Sequence, residues 1–191
     1  SRAPAWSDIE VATRTWEGRA SPDSVSFRIV REWRLAVLDR VKEGLLAPAM
    51  AAMGKDFVMP DLPQIEGVAW ELVTQKPAHL LPRAYASWDE LFLDAAREVD
   101  NTLQETGPLS ERTWGERNRA QICHPLAKAL PSFTRHWTCM SPDPLPGDQA
   151  MPRIASPNFG ASERMVVSPG HEAEGIIEMP GGQSGHPFSP Y

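Results

Sequence analysis

Five histidines are the side chains in this sequence best suited to bind a metal ion or to move a proton near neutral pH. They are His79, His124, His136, His171 and His186. No two of them lie four residues apart on a predicted helix beside a carboxylate, and the spacing of His124 and His136 around the cysteines matches no zinc pattern. We therefore expect structural histidines, with no metal ligand and no cofactor-binding residue in this chain.

The two cysteines, Cys123 and Cys139, could form one disulfide bridge. Two isolated cysteines are more often unpaired and behave as small hydrophobic side chains. We therefore expect free thiols, and this expectation leaves the redox compartment open.

A serine between glycines, Ser184 in the segment GGQSGHP at 181–187, could be the nucleophile of a sharp turn. The G-x-S-x-G turn needs glycine two residues before and two residues after the serine, between a strand and a helix. Those positions hold Gly182 and His186, and Pro187 prevents a helix from following. We interpret the segment as a structural clamp, in which the glycines reverse the chain and the polar side chains bond main-chain groups.

Three charged residues attract attention for their positions in the pattern. Arg164 alternates with Met165 on a predicted strand and would need a partner if buried, so we expect it to pair with a carboxylate or a carbonyl near the glycine segment. Glu116 and Arg117 in TWGERN are predicted to form a local charge pair in a loop. These observations assign no catalytic residue to the chain.

One long amphipathic helix is predicted over residues 21–46. Ser21 is the predicted N-cap, Pro22 the first helical residue, and hydrophobic residues then recur at steps of three and four. Pro48 is expected to end this helix. Residues 48–83 contain five prolines and are predicted to form short helical turns and loops.

A second helix is predicted over residues 87–105, where Ser87 and Glu90 form an S-x-x-E capping box. After Gly107 the helical period fades, and residues 162–167 and 175–179 are predicted to form an antiparallel hairpin. Because two strands alone are marginal in water, we expect this hairpin to need further strands that the chain does not supply.

The composition limits the class of protein. The chain has 191 residues, of which 41% are hydrophobic and 23% charged, with 19 prolines and a net charge of −6. Its basic residues are interleaved with acids, which argues against nucleic-acid binding, and no apolar run approaches the length of a membrane span. We expect a mainly helical part at 1–110 and a Pro/Gly-rich part with strands at 111–191, together an α+β fold.

Two stretches of the sequence resemble the penicillin acylase (penicillin amidase) family of N-terminal nucleophile hydrolases. They are WGERNRAQICHPLAKALP at 114–131 and FGASERMVVSPGHEAEGIIEMPGGQSGHPFSPY at 159–191. Gly160, Ser162, Arg164 and Val166 match the family's G-x-S-x-R-x-V-x-D strand, while Ser168 replaces its usual acid. The helical regions are similar as well, so the resemblance covers nearly the whole chain.

The resemblance implies the C-terminal part of a β subunit from a precursor that cuts itself into two chains and folds as an αββα sandwich. In that family the new N-terminal residue attacks an amide carbonyl with its own α-amine as base, and an asparagine helps to bind the oxyanion. Those motifs are missing here. Although Ser1 begins the chain, Arg2, Ala3 and Pro4 follow it instead of the family's pattern, so we do not expect a catalytic Ser1.

The expected function is therefore that of a C-terminal fragment, truncated at both ends and inactive alone, of an amidohydrolase that cleaves acylated amines. β-Lactams and acyl-homoserine lactones are the substrates that the resemblance suggests, and the remainder of the β chain and the α chain are the implied partners. By the same resemblance the parent protein would be a zymogen, periplasmic or secreted, and could bind calcium. The alternative is an independent interaction module of helices and a small sheet without enzymatic activity.

Overall fold

The computed structural model of the chain describes residues 6–161 and 163–178. The described helices are α1 Trp6–Thr13, α2 Val25–Met53, α3 Ile65–Gln75, α4 Trp88–Gln104, α5 Trp114–Arg117 and α6 Arg135–Thr138, with short 3-10 turns between them. The described strands are β1 Ala155–Ser156, β2 Phe159–Gly160, β3 Arg164–Val166 and β4 Ile176–Glu178. This order confirms the predicted α+β fold, in which a helical first half precedes short antiparallel strands.

The chain divides into two compact units. The first contains the residues up to Glu17 and Val25–Arg112, and the second contains Gly18–Ser24 and the residues from Thr113 onward. The second unit thus includes a seven-residue piece that lies between α1 and α2 in sequence. None of the described helices combines the length and the apolar character needed to cross a membrane.

The core of the first unit is formed mainly where α2 packs against α4. Residues Leu91, Ala95, Val99 and Leu103 recur every fourth position and are all buried, so α4 presents one continuous apolar face. The indole of Trp33 on α2 adds a hydrogen bond to the carbonyl of Phe92 (3.1 Å).

The second predicted helix is confirmed with its cap. The Ser87 hydroxyl accepts a hydrogen bond from the N–H of Glu90 (3.1 Å), and the Glu90 carboxylate accepts one from the N–H of Ala86 (2.7 Å). The bond to Ser87 is the one that the capping-box pattern predicts, whereas the Glu90 carboxylate binds the N–H one residue before the N-cap.

The limits predicted for α2 were wrong at both ends. The helix begins at Val25 rather than near Ser21 because the carbonyls of Pro22 and Ser24 accept hydrogen bonds from residues 115 and 114 of the second unit (2.7 and 2.9 Å). It also continues through Pro48 to Met53. An interior proline costs about 3 kcal/mol, but the following residues, AMAAM, are strong helix formers and the helix resumes.

The region predicted as turns and loops at 48–83 contains one element that the prediction missed. Helix α3 spans 11 residues and includes Gly67, a poor helix former. It ends before Lys76, which adopts a left-handed conformation with φ 49°. Short 3-10 turns at Gly54–Asp56 and Ala78–Leu80 agree with the rest of the prediction. Helix α1 was not predicted either.

Two antiparallel hairpins supply the strands of the second unit. β3 pairs with β4 in the register Met165 to Ile177 and Val166 to Ile176, which confirms the predicted hairpin with shorter strands. The predicted positions 162 and 179 lie outside the described residues. The other hairpin pairs β1 with β2 and was not predicted. Residues 107–154, where strands were expected to take over, are mainly loop and turn, and the elements described within them are one-turn helices and 3-10 turns.

Candidate functional site

Trp114 and Asn118 organise the interior of the second unit, and both belong to the first stretch that carries the family resemblance. The buried Trp114 indole donates a hydrogen bond to the carbonyl of Gly147 (2.8 Å). The buried Asn118 amide nitrogen lies within hydrogen-bond distance of the carbonyls of Leu145 (2.9 Å), Gly147 (3.1 Å) and Ala155 (3.2 Å), so its two hydrogens are shared among three acceptors. Because buried carbonyls need partners, one asparagine side chain here holds three points of irregular backbone together.

Gly115 lies between these two residues and is required by close packing. Its N–H donates to the Pro22 carbonyl (2.7 Å), and a Cβ at this position would lie 2.8 Å from Pro144 Cβ and 2.9 Å from Pro22 Cβ. No other residue fits without movement of the prolines. The W-G-x-x-N pattern at 114–118 therefore has a structural explanation in this chain.

The residues around this pattern correct a further prediction. Residues 114–117 form the one-turn helix α5 rather than a loop, capped by Thr113, whose hydroxyl accepts from the N–H of Glu116 (3.3 Å). The Arg117 guanidinium lies 5.5 Å from the ring of Trp114, a cation–π contact that helps to cover the buried indole.

Cys123 and Cys139 form a disulfide, so the expectation of free thiols was wrong. The one-turn helices between them reverse the chain, and the two cysteines face each other in an antiparallel bridge. Hydrogen bonds on both sides hold this register, from His124 N–H to the Thr138 carbonyl (2.6 Å) and from Met140 N–H to the Ile122 carbonyl (2.8 Å). Sequence spacing alone could not reveal this contact.

A cavity of about 730 Å³ lies beside the disulfide. Its walls include Cys123, Cys139, Met140, Gln121, Arg135 and His136. Such a volume is within the range of small-molecule sites, as is a mixture of apolar surface with a few polar groups. No sequence pattern predicts this cavity, because its walls come together only when the segment between the cysteines is closed.

The histidines have local roles where they are described. The His124 ring accepts a hydrogen bond from the N–H of Leu126 (3.2 Å), the His136 ring lies 3.9 Å from the ring of Trp137, and His171 Nδ1 is 3.5 Å from the Glu174 carboxylate. His79 lies in a 3-10 turn. Within residues 6–161 and 163–178, no group of three or more His, Cys, Asp or Glu side chains could hold a metal ion.

The main ionised network of the first unit surrounds Arg40 on α2. Its guanidinium donates to Asp94 (2.7 and 3.0 Å), to Glu98 (2.7 Å) and to the hydroxyl of Tyr85 (3.0 Å). Tyr85 in turn donates to Asp94 (2.8 Å). No local pattern predicts this network, since Arg40 and Asp94 are 54 residues apart.

These contacts shift three pKa values. Burial would lower the pKa of Arg40, but the hydrogen bonds to Asp94, Glu98 and Tyr85 outweigh it and raise that pKa further. Burial, followed by the bond to Asp94, raises the pKa of Tyr85. The hydrogen bonds from Arg40 and Tyr85 lower the pKa of Asp94. We interpret this network as structural, because the positive charge of Arg40 is paired with the carboxylates of Asp94 and Glu98.

Several sequence predictions concern positions without a structural description. Ser1 and the GGQSGHP segment at 181–187, with Ser184 and His186, lie outside the described residues. The side chain of Arg164 lies outside them too, so its expected pairing stays a prediction. Within the described residues, the two candidate features are the buried pair Trp114 and Asn118 and the cavity beside the disulfide.

Comparison with known proteins identifies the family. The family model described as penicillin amidase matches residues 11–191. The match includes both stretches in which the resemblance was found. No curated protein matches the chain.

Proposed function

The chain belongs to the penicillin amidase family, which consists of acylase-like amidohydrolases, and from that premise we propose that it is part of a hydrolase that cleaves the amide bond of an acylated amine. The observation that carries the proposal is the family match over residues 11–191. Candidate substrates are β-lactams, acyl-homoserine lactones and similar acylated amines. The acyl pocket is built by other parts of the protein.

The proposed chemistry is that of an N-terminal nucleophile. A free N-terminal residue, released by self-cleavage of the precursor, attacks the amide carbonyl while its own α-amine takes the proton. The amine product leaves, and water then hydrolyses the acyl-enzyme to release the carboxylic acid and restore the nucleophile. The nucleophile and the oxyanion donors come from the parent protein, and the 191-residue chain alone is inactive.

The β3–β4 hairpin is the part of this chain that we propose to join the larger sheet of an αββα sandwich. Its paired side chains Met165 and Ile177, and Val166 and Ile176, are 64–67% exposed. Because successive residues of a strand point to opposite sides, the hairpin has an apolar pair on each face. A two-stranded ribbon with this pattern gains stability when further strands and a second layer cover it.

We further propose that the protein functions in an oxidising compartment, as a periplasmic or secreted zymogen. The Cys123–Cys139 disulfide supports this localisation, since structural disulfides persist mainly outside the reducing cytosol.

Expression of the full-length protein beside the 191-residue chain tests the proposal. Intact mass spectrometry of the full-length protein should detect two chains whose masses add up to that of the precursor plus the one water molecule that cleavage of the peptide bond consumes. The processed protein should release free amine from one or more members of a panel of acylated amines, and the 191-residue chain should release none. Hydrolysis by the 191-residue chain, abolished by Ser1→Ala, would place the nucleophile in this chain. An unprocessed full-length protein that hydrolyses no acylated amine would instead favour an interaction module.

A further inference from the structure

The cavity beside the Cys123–Cys139 disulfide has the size and the lining of a site for a small organic molecule. Its volume of about 730 Å³ is enough for a ligand of modest size. The disulfide and the thioether of Met140 form an apolar side. The cavity is open to solvent and Met140 is 55% exposed, so an apolar chain placed there would be partly removed from water and would cover this surface, which favours binding.

The charge around the cavity is positive, although the whole chain carries a net charge of −6. Arg135 lines it directly, and the Arg119 guanidinium donates to the carbonyl of Pro142 on the cavity wall (3.0 Å). Asp143 also has a contact to the wall, where its carboxylate accepts a hydrogen bond from the Ser141 hydroxyl (3.0 Å). Among the residues that the structure describes, the lining itself includes the guanidinium of Arg135 and no carboxylate, and this balance favours an anionic ligand.

Arg135 has the geometry and the freedom to bind such a ligand. Its carbonyl accepts a hydrogen bond from the N–H of Cys139 (2.8 Å), which fixes its backbone at the edge of the cavity. Over the part of the chain that the structure describes, no carboxylate or carbonyl occupies its guanidinium. An arginine in this state can bind a carboxylate through two parallel hydrogen bonds.

We propose that this cavity binds a small organic carboxylate, with the carboxylate on Arg135 and its apolar chain against the disulfide and Met140. The inference does not depend on the proposed hydrolase function, because it rests on the cavity alone. Binding also depends on the oxidised state of the cysteines, since reduction removes the covalent closure of one wall. A ligand of this kind therefore stabilises the oxidised form.

The test uses the full-length protein labelled with methyl-13C methionine, in which Met140 reports on the cavity itself. The Met140 resonance is assigned by its loss in Met140→Leu. Hexanoate is then titrated and should shift this resonance with a dissociation constant on the order of 1 mM, an affinity within reach of a ligand of about eight heavy atoms. Hexan-1-ol and hexylamine, which have the same chain without the carboxylate, should bind at least about tenfold more weakly.

Two variants separate the role of Arg135 from a general effect of charge. Arg135→Met should weaken hexanoate binding at least about tenfold, whereas Arg83→Met, at an exposed arginine of the first unit, should leave it unchanged. Reduction with dithiothreitol should also weaken binding. The proposal fails if hexanoate leaves the Met140 resonance in place, or if hexan-1-ol or the Arg135→Met protein gives the same shift at the same concentrations.

Discussion

Trp114 and Asn118 donate hydrogen bonds to the same carbonyl oxygen, that of Gly147, over 2.8 and 3.1 Å. Gly147 has a φ of +99°, which only glycine adopts readily. A carbonyl has two lone pairs, so it can accept both bonds. This shared acceptor holds the turn at Gly147 against the one-turn helix α5 and so helps to arrange the second unit.

Replacement of Asn118 should show how much this arrangement contributes to the free energy of unfolding. Asn118→Ala removes both N–H donors of this amide and takes them away from the carbonyls of Leu145 and Ala155, while Gly147 keeps its bond from Trp114, so we expect the free energy of unfolding to fall by about 2–3 kcal/mol. Urea denaturation followed by tryptophan fluorescence measures the change. Asn101→Ala, on the exposed side of α4, is the matched control and should change stability by less than about 0.5 kcal/mol. Equal effects of the two substitutions would contradict the role of Asn118.

Two glycine-to-alanine substitutions should act in opposite directions. Gly115→Ala places a methyl group within 3 Å of Pro22 and Pro144 and should lower stability by about 1–3 kcal/mol. Gly67→Ala, inside α3 with no atom near the new methyl group, should raise it by up to about 1 kcal/mol. Thermal unfolding of both variants beside the wild type is the measurement. A stabilised Gly115→Ala protein would mean that the prolines move aside at little cost.

Removal of the disulfide should destabilise the second unit. The bridge closes a loop with a sequence separation of 16, for which the loss of unfolded-state entropy is worth about 3 kcal/mol. The double variant Cys123→Ser, Cys139→Ser should lose that amount in urea denaturation. Dithiothreitol should destabilise the wild type to a similar extent and leave the double variant unaffected. If the reductant lowered the stability of both proteins equally, the effect would not come from this bridge.

Asp94 and Tyr85 should limit the pH range over which the Arg40 network stabilises the first unit. The lowered pKa of Asp94 makes its contribution complete above the unfolded value of about 4, and the contribution is lost as pH falls through the lower folded pKa. The raised pKa of Tyr85 makes its contribution complete below about 10, and that one is lost as pH rises through the folded pKa. A plateau between about pH 5 and 9 follows.

Asp94→Asn is the substitution that tests this pH dependence. We expect a loss of about 1 kcal/mol on the plateau, a modest value because the Asp94 side chain is 46% exposed and screened by water. The difference from the wild type should shrink as pH falls from 4 towards 2 in urea denaturation. Asp61→Asn, at an exposed carboxylate, should show no such dependence. A difference that stayed constant down to pH 2 would exclude the carboxylate as its source.

Local signals in the sequence were sufficient where the structure is locally determined. The capping box at Ser87 predicted the start of α4 because its donors and acceptors lie within four residues of one another. The β3–β4 hairpin could be predicted for the same reason, since its strands are close in sequence. Features that depend on distant contacts were missed, as the Cys123–Cys139 bridge and the cavity beside it show.

At two prolines, a sound local pattern led to a wrong prediction. The local rule that Pro48 ends a helix is sound for an isolated segment, but here the gain from continuing α2 through good helix formers outweighs the local cost. At the other end of α2, Pro22 satisfied the pattern of a helix start, and its carbonyl is instead bound by Gly115. The error at Pro22 arose because a contact with a residue distant in sequence, and not the local pattern, decides where α2 begins.

The order of protein synthesis gives the seven residues Gly18–Ser24 a particular place in folding. Their partner Gly115 follows Pro22 by 93 positions (115 − 22), so the ribosome needs on the order of 10 s to deliver it. During that interval the helices of the first unit leave the ribosome on both sides of this short piece, which has no partner yet. The second unit therefore begins to assemble only after most of the first has been made, and the earliest-synthesised of its residues wait for those made much later.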